Sequence, residues 1–376
     1  DWPTYRHDIA RSGSVATDVP AELKQRWKCS FQGKTGSLVC SDGKVYVPSN
    51  NGCSLACLSA DTGETAWEYL TGGGIDSPPT LHNGLAIFGC RDGTVHAVDA
   101  EKGDLIWRFR AAPVDSRIMA DGRLESPWPV SGSVLVVGDT AYFAAGRSSF
   151  IDEGIFLYGV DATTGEKICE TVIRSESPKP QLGDDAPPKA NSSAPKGALP
   201  DILVSNGSAI VMQGTSYSLD LAGGGRAKVL SVPYGFMNEE GMHRRTWSLG
   251  GAASYKNPFG KLLVFDGEVA YGAQNRYSWQ KYSPWMWPQN HTGHHHQKYS
   301  RYDPDMFPFG TRLFAQKNTP VVAEEIETPN PERIPQGFSR WSKPAMSSAV
   351  GHLWTNELPY QVSAMVATDR VLFVAG

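Results

Sequence analysis

The sequence predicts an all-β fold, a propeller built from four-stranded antiparallel blades. Turn-forming and aromatic residues are abundant, with 39 glycines, 26 prolines and 11 tryptophans among 376 residues. A short turn motif recurs at an interval of about 40 residues, and a β-hairpin pattern precedes each copy. A period of this length with four short strands per repeat is typical of propeller blades.

The recurring motif contains an Asp or Ser, then a glycine, then a large side chain at fixed spacing. The glycine supplies a positive φ in a tight turn, and the Asp side chain accepts hydrogen bonds from turn amides. The tryptophan begins the outer strand, where it is expected to pack between neighbouring blades as a structural docking residue. The three copies are Ser59, Gly63 and Trp67; Asp99, Gly103 and Trp107; and Asp161 and Gly165, with Cys169 in the tryptophan position.

The hairpin patterns set the expected blade boundaries. Turn pairs such as Asp42-Gly43 and Asn83-Gly84 are followed by alternating apolar residues, which is typical of two-residue hairpins. We therefore predict blades at 36–70, 75–110 and 133–173, with further blade-like pieces later in the chain. The whole chain, 1–376, is predicted to be a single propeller domain with insertions at about 175–200, 276–310 and 319–335.

Bulk composition excludes some classes of partner. The chain has 35 basic and 39 acidic residues, for a net charge of −4, which lacks the basic footprint of a nucleic-acid-binding protein. No apolar run is long enough to span a bilayer. The six cysteines lack the spacing of a zinc finger, and their number is compatible with either disulfides or buried free thiols.

The repeats resemble the tryptophan-docking motif of quinoprotein-type β-propellers, which are also called pyrroloquinoline quinone-like (PQQ-like) propellers. Longer strings, including "ESPWPVSGSVLV" at 125–136 and "GFMNEEGMHRRTWSLGG" at 235–251, resemble the PQQ-binding-like propeller repeat proteins of environmental bacteria. This resemblance implies a quinoprotein-like propeller with seven or eight blades in the full protein. It also implies a periplasmic or extracellular location, a cleaved signal peptide and similarity to the outer-membrane assembly lipoprotein.

The two ends of the chain predict an open ring. The segment 363–376 resembles the first hairpin of a blade, and 23–31 resembles an outer strand without its own blade. We expect the chain to be incomplete at its C-terminus. A protein partner, or a missing C-terminal segment of the same protein, is expected to cover the open edge.

Polar side chains in the predicted inter-blade connections form the candidate ligand site. Arginines, carboxylates, a histidine and tryptophans suit an anionic or carbohydrate-like ligand, and His243 could move a proton near neutral pH. The same residues are equally compatible with solvated loops and salt bridges between blades. The candidates are Arg117, Glu125, Trp128, Arg147, Asp152, His243, Arg244 and Trp247.

Metal and cofactor predictions are mostly negative. His291, His294, His295 and His296 are weak candidates for a transition-metal site. No cofactor is expected, with PQQ and calcium as the alternative. The adjacent cysteine pair of many quinoprotein dehydrogenases is missing, and no motif matches their metal ligands.

Three function classes remain open. The first is a binding or scaffold propeller with an anionic or carbohydrate-like ligand. The second is an enzyme acting on a sugar-like substrate at the propeller face. The third is a PQQ-dependent quinoprotein dehydrogenase. Fold alone does not separate them, because propellers host all three.

Overall fold

The computed structural model describes most of the first two-thirds of the chain and parts of the remainder. The described residues are 1–31, 35–120, 122–175, 200, 202–213, 215–226, 230–231, 247–249, 258–276, 310–318 and 352–376. Every regular element among them is a β-strand, and the strands form antiparallel sheets. The predicted all-β fold with four-stranded blades is confirmed.

The chain divides into two compact units. The first contains Asp1–Ser12 and Pro20–Arg244, and the second contains Gly13–Val19 and Arg245–Gly376. The single domain over 1–376 stays a prediction. The three predicted insertions fall almost entirely outside the described residues. In the part of the chain that the structure describes, no helix has the length and apolarity needed to cross a membrane.

The first three blades lie close to the predicted boundaries. Blade 1 consists of β1 (Val39–Ser41), β2 (Lys44–Ser49), β3 (Ser54–Ser59) and β4 (Thr65–Leu70). Blade 2 consists of β5 (Thr80–His82), β6 (Leu85–Gly89), β7 (Thr94–Asp99) and β8 (Leu105–Arg110). A hairpin of β9 (Ile118–Ala120) and β10 (Arg123–Glu125) follows. Blade 3 consists of β11 (Leu135–Val137), β12 (Thr140–Ala145), β13 (Ile155–Asp161) and β14 (Lys167–Ile173).

The later strands are short, apart from three longer strands in the four-stranded sheet of the second unit. Blade 4 consists of β15 (Val204–Ser205), β16 (Ile210–Met212), β17 (Thr215–Tyr217) and β18 (Gly223–Arg226), and β19 (Leu230–Ser231) follows. The second unit has β20 (Trp247–Leu249) paired with β21 (Phe259–Gly260). Its four-stranded sheet is β22 (Leu262–Phe265), β23 (Val269–Arg276), β24 (Gly310–Lys317) and β25 (His352–Leu358). Its last hairpin is β26 (Ala364–Ala367) and β27 (Leu372–Ala375).

Local turn chemistry explains the first hairpin of blades 1 and 2. Asp42 and Gly43 have φ values of 51° and 71°, and Asn83 and Gly84 have 48° and 76°. Two consecutive positive φ angles match the right-handed twist of the flanking strands, and Asn-Gly and Asp-Gly tolerate them best. The alternating side chains of the paired strands then face the two neighbouring blades.

The apolar core of the first unit lies between adjacent blades. One cluster joins blades 1 and 2 through residues such as Leu55 and Phe88. A second joins blades 2 and 3 around Trp107 and Phe143, and a third joins blades 3 and 4. Blades 2 and 3 therefore bury both faces, which explains why β6 and β13 are buried along almost their whole length.

The N-terminal segment, residues 1–12, runs along the first strands of all four blades of the first unit. Trp2 exchanges backbone hydrogen bonds with Cys40 on β1, and the Pro3 carbonyl accepts one from Leu81 on β5. The Ile9 carbonyl accepts one from Ser205 on β15. These bonds pair part of the free edge of β1, β5 and β15, the first strands of blades 1, 2 and 4, which would otherwise remain available for pairing.

Arg11 anchors this segment. Its side chain is fully buried, with an exposed fraction of 0%. The guanidinium donates to the backbone carbonyls of Val134, 3.3 Å away, and Leu203, 3.1 Å away, and to the hydroxyl of Thr4 at 2.7 Å. One side chain thus joins the N-terminus to the starts of blades 3 and 4.

In the second unit, residues 13–19 also contact inner strands. Ser14 forms a parallel bridge with Ala367 on β26, and the Val15 amide donates to the Ala367 carbonyl at 3.0 Å. The Ser14 hydroxyl donates to the Phe265 carbonyl on β22 at 2.6 Å. Residues 13–15 thereby lie beside β26 as a third strand-like segment of the β26–β27 hairpin.

Candidate functional site: a polar network at one end of the blades

Antiparallel topology brings a defined set of loops to one end of the blades in the first unit. When four strands alternate in direction, the turn between the second and third strands and the link to the next blade emerge at the same end. Here these are the turns 50–53, 90–93 and 146–154 and the links 71–79 and 111–134. We call this the linker end of the blades. It carries most of the described candidate site residues.

A buried ion network is the central feature of the linker end. Arg91, in the turn after β6, donates through Nε to Asp76 Oδ2 at 2.7 Å and through Nη1 to Glu125 Oε2 at 3.0 Å. The exposed fractions of the three side chains are 15%, 4% and 9% for Arg91, Asp76 and Glu125. The three residues come from two links and one turn, so the network joins blade 2 to both of its neighbouring connections.

Burial and charge oppose each other within this network. Burial raises the pKa of Asp76 above its ordinary value, and the hydrogen bonds and positive charge of Arg91, with a hydrogen bond from Asn50, act against that rise. For Arg91, burial acts to lower the pKa, but the two carboxylates outweigh it and raise the pKa further above its usual range. The arginine is therefore permanently charged and bound to its own carboxylates.

Two asparagines extend the network to blade 1. The Asn50 side-chain amide donates to Asp76 Oδ1, and its oxygen accepts from Arg123 Nη1. Arg123 Nη2 donates to Asn51 Oδ1 at 2.5 Å. Arg123 lies on β10, so these contacts attach the β9–β10 hairpin to the turn of blade 1.

Three predicted site residues meet in a second group beside blade 3. Arg147 Nη2 and Nε lie 2.5 and 3.2 Å from Asp152 Oδ2, and Trp128 Nε1 donates to the Asp152 backbone carbonyl at 2.6 Å. Trp128 is buried, with 8% exposed. Asp152 and Glu153, in the same loop, have positive φ values of 51° and 63°.

The remaining predicted site residues are dispersed or undescribed. Arg117 is exposed, and its Nη1 donates to the Asp92 backbone carbonyl at 3.2 Å. Trp247 is buried on β20 in the second unit. The other predicted candidates lie outside the described residues: His243, Arg244, His291, His294, His295 and His296. One ligand pocket formed by all of these residues stays a prediction.

The motif turns of blades 2 and 3 each contact the docking tryptophan of the preceding blade. Trp67 Nε1 donates to the Ala100 carbonyl at 3.2 Å, and Trp107 Nε1 donates to the Ala162 carbonyl at 3.0 Å. A Cβ atom on Gly103 would lie 2.7 Å from the Trp67 ring, and one on Gly165 would lie 2.8 Å from the Trp107 ring. Only glycine leaves room for these contacts.

The first motif receives a tryptophan from outside the blades. Trp27, in the exposed segment that precedes blade 1, donates to the Ala60 carbonyl at 2.8 Å and covers Gly63 in the same way. Asp99 and Asp161 each accept two turn amides at 2.8–2.9 Å. Ser59 Oγ accepts the Thr62 amide at 3.3 Å, a weaker version of the same contact.

Sequence reasoning missed the central arginine of the network. Arg91 and Asp92 lie in the turn "CRDG", which the hairpin pattern identifies only as a turn. The available signal is topological: a turn between the second and third strands shares its end of the blade with the links that carry Asp76 and Glu125. Arg11 has no such signal, because the N-terminal segment has no strand periodicity.

The β9–β10 hairpin exposes an apolar pair at the linker end. Met119 and Leu124 are directly opposite in the strand register, and 69% and 61% of their surfaces are exposed. Val114, in the same link, is 53% exposed. Exposed apolar residues that are grouped on one hairpin are typical of contact surfaces.

Comparison with known proteins identifies the family. The family model described as "Outer membrane protein assembly factor BamB" matches residues 11–224. BamB of Burkholderia pseudomallei (strain K96243) is 31% identical over 111 residues, which cover 29% of either chain. The quinone-dependent alcohol dehydrogenase, dehydrogenase subunit, of Gluconobacter oxydans (strain 621H) is 24% identical over 185 residues, 44% of this chain and 24% of that protein.

The chain therefore spans less than a third of either curated relative. Among solved structures, the quinohemoprotein alcohol dehydrogenase from Comamonas testosteroni aligns with all of this chain and 70% of its own, at 15% identity and a TM-score of 0.48. The family model covers more than half of the 376 residues. The chain thus belongs to the PQQ-like β-propeller repeat family of the BamB type.

Proposed function

We propose that this protein is an extracytoplasmic binding or scaffold module that holds a protein partner at the linker end of its blades. The observation that carries the proposal is the β9–β10 hairpin. It is fixed to blade 1 through Arg123, and it presents Met119 and Leu124 to solvent. An apolar pair on a hairpin that is held by such contacts loses less conformational entropy on binding than one on a free loop, which favours association.

The chemistry around the hairpin suggests the character of the partner. Arg117 precedes β9 and is exposed, so it can pair with a carboxylate at the rim of an interface. Arg91 and Arg147 are already paired with carboxylates of this chain. We therefore favour a partner segment that combines apolar side chains with an acidic residue. A free carbohydrate or small anion is less well supported, because it would have to displace those ion pairs.

Site-specific photocrosslinking in envelope fractions tests this proposal. A photoreactive amino acid at Met119 or Leu124 is expected to give one defined crosslinked protein. Ile168, which is 59% exposed on the outer strand of blade 3, provides the matched control position. Equal crosslinking from all three positions, or none from the hairpin, would overturn the proposal.

A quinoprotein dehydrogenase is the second candidate, supported by the similarity to dehydrogenase subunits. Calcium beside PQQ requires several oxygen ligands. In the described ranges, the network carboxylates Asp76 and Glu125 are bound to Arg91, and the Asn50 oxygen is bound to Arg123. Because their oxygens are already bound to arginines, these residues do not fit a calcium site. Incubation with PQQ and calcium, followed by gel filtration, is expected to leave no quinone absorbance with the protein. Stoichiometric retention of quinone would favour the dehydrogenase.

The third candidate function is an enzyme that acts on a sugar-like substrate. It would depend on His243 and Arg244, which lie outside the described residues. Screening for glycoside turnover, with His243→Ala as the comparison, addresses it directly. Turnover that disappears in this variant would favour the enzyme over the scaffold.

A further inference from the structure

The turn between β6 and β7, together with the start of β7, brings together three side chains that the ion network does not use. Cys90 Sγ, a carboxylate oxygen of Asp92 and a ring nitrogen of His96 all lie within 4.8 Å of one another. Cys90 and His96 are buried, with exposed fractions of 0% and 3%, and Asp92 is half-buried. In the described residues, this is the one such group of three metal-ligating side chains.

Neighbouring groups fix the orientation of the histidine. Its Nδ1 lies 3.0 Å from the Tyr69 hydroxyl, and the Phe88 ring stacks on the imidazole at 5.5 Å with an interplanar angle of 9°. Nε2 is hydrogen-bonded to the Thr94 hydroxyl at 2.6 Å, and the same hydroxyl lies 2.5 Å from Asp92 Oδ1. In a metal-binding histidine one ring nitrogen is held by a hydrogen bond and the other binds the ion, so an ion here would replace the Thr94 hydroxyl at Nε2.

The cysteine and aspartate are also held in place. The Asp92 amide lies 3.5 Å from Cys90 Sγ, in position to donate to a thiolate, and Asp92 Oδ1 accepts the Thr94 amide at 3.0 Å. The link from blade 1 closes over the turn at Gly72 and Gly73. A Cβ on Gly73 would lie 2.8 Å from the Asp92 backbone nitrogen, so only glycine permits this close approach, and a Cβ on Gly72 would lie 2.8 Å from Asp92 Oδ2.

Blade packing does not require these residues. The strand registers place Ser49 and Ala56 of blade 1 at the positions of Cys90 and His96. In blade 3 the corresponding residues are Ala145 and Tyr158. The repeat thus folds with other side chains at both positions, and the combination of a thiol with an imidazole is particular to blade 2.

We propose that Cys90, Asp92 and His96 bind a divalent transition-metal ion of the zinc class. One sulfur, one nitrogen and one oxygen ligand suit Zn²⁺, with a fourth position completed by water or the nearby Gly73 carbonyl. Binding releases the Cys90 proton to solvent. The thiolate and the carboxylate then balance the two positive charges of the ion, so the buried site is neutral.

Cobalt substitution tests the site directly. Metal-free protein titrated with Co²⁺ is expected to bind about one ion here and to develop a near-ultraviolet sulfur-to-cobalt charge-transfer band, because Cys90 is a ligand. Zn²⁺ should displace the cobalt and abolish the band. The band reports thiolate ligation, so cobalt bound only by the histidines at 291–296 would not produce it. A wild-type protein without the band would overturn the proposal.

Variants then assign the ligands. Cys90→Ser and His96→Ala introduce the residues that blade 1 carries at these positions, so we expect both to fold. Each should weaken cobalt affinity at least about 10-fold, and Cys90→Ser should remove the band. Cys57→Ser, at a buried cysteine of blade 1 outside the cluster, is the control and should bind like the wild type. A band that persists in Cys90→Ser, or disappears in Cys57→Ser, would contradict the assignment.

Discussion

Trp107 and Trp67 make the same hydrogen bond to the next blade but differ in burial. Trp107 is 8% exposed in the core between blades 2 and 3, whereas Trp67 is half-buried. We expect Trp107→Ala to lower the free energy of unfolding by about 3–5 kcal/mol and Trp67→Ala to lower it by less. Urea unfolding followed by circular dichroism measures both. Equal losses in the free energy of unfolding would show that the shared hydrogen bond, rather than burial, accounts for most of each tryptophan's contribution to stability.

The ion network gives a prediction that depends on pH. Arg91→Ala leaves Asp76 and Glu125 buried without their cation, and we expect a loss of about 3–5 kcal/mol at neutral pH. Burial already raises the pKa of Asp76 in the folded protein. The folded state therefore binds more protons than the unfolded state, and stability falls as the pH rises through the interval above the ordinary aspartate value of 3.8.

Without Arg91, the pKa of Asp76 in the folded protein should rise further, which widens the pH interval over which stability falls. The loss in free energy of unfolding caused by Arg91→Ala should therefore be smallest at acidic pH, where Asp76 is protonated. Adding Asp76→Asn to Arg91→Ala removes one of the two buried charges and should recover part of the stability at neutral pH. Unfolding curves at several pH values measure the deficit. A deficit that is constant with pH, or a double variant less stable than Arg91→Ala, would contradict this account.

At the scale of the element, two glycine substitutions separate the cost of a positive-φ backbone from the cost of losing the contact with tryptophan. Gly165 has φ of 74° and touches Trp107, whereas Gly84 has φ of 76° and a Cβ atom there would meet no other atom within 4 Å. Alanine at either position costs roughly 1–2 kcal/mol because of the left-handed backbone. Gly165→Ala should cost about 1–3 kcal/mol more, because it displaces the tryptophan. Similar melting temperatures for the two variants would exclude this contact as a stabilising one.

How much of each element the sequence predicts depends on how local its cause is. The blade strands follow from alternating side chains and Asn-Gly or Asp-Gly turns, which act within a few residues. The Arg147–Asp152 pair also lies within one loop. The Arg91 network joins side chains 15 and 34 residues apart, and no local pattern marks such pairings. The contacts of Arg11 reach 123 and 192 residues along the chain.

At the scale of the whole molecule, the N-terminal segment connects blades that are distant in sequence within the first unit. Arg11→Met removes hydrogen bonds to buried carbonyls, and we expect a loss of at least about 3 kcal/mol. The amides of Cys40, Leu81 and Ser205, which donate to this segment, should exchange faster with solvent. Arg26→Met, at a surface ion pair with Asp61, should change stability by less than about 1 kcal/mol. Unchanged exchange in Arg11→Met would show that the segment is not a stabilising connection.

The path of the N-terminal segment also imposes an order in time on the newly made chain. Residues 1–12 are made before the blades that they contact, because the acceptor carbonyl of Leu203 and the donor amide of Ser205 appear about 190 residues later, which at ordinary elongation rates takes on the order of 10–40 s. During that time the Arg11 guanidinium must stay hydrated. Residues 1–12 are therefore made earlier than the blades they connect but are among the last to reach their native positions, which they can do only when blade 4 is complete.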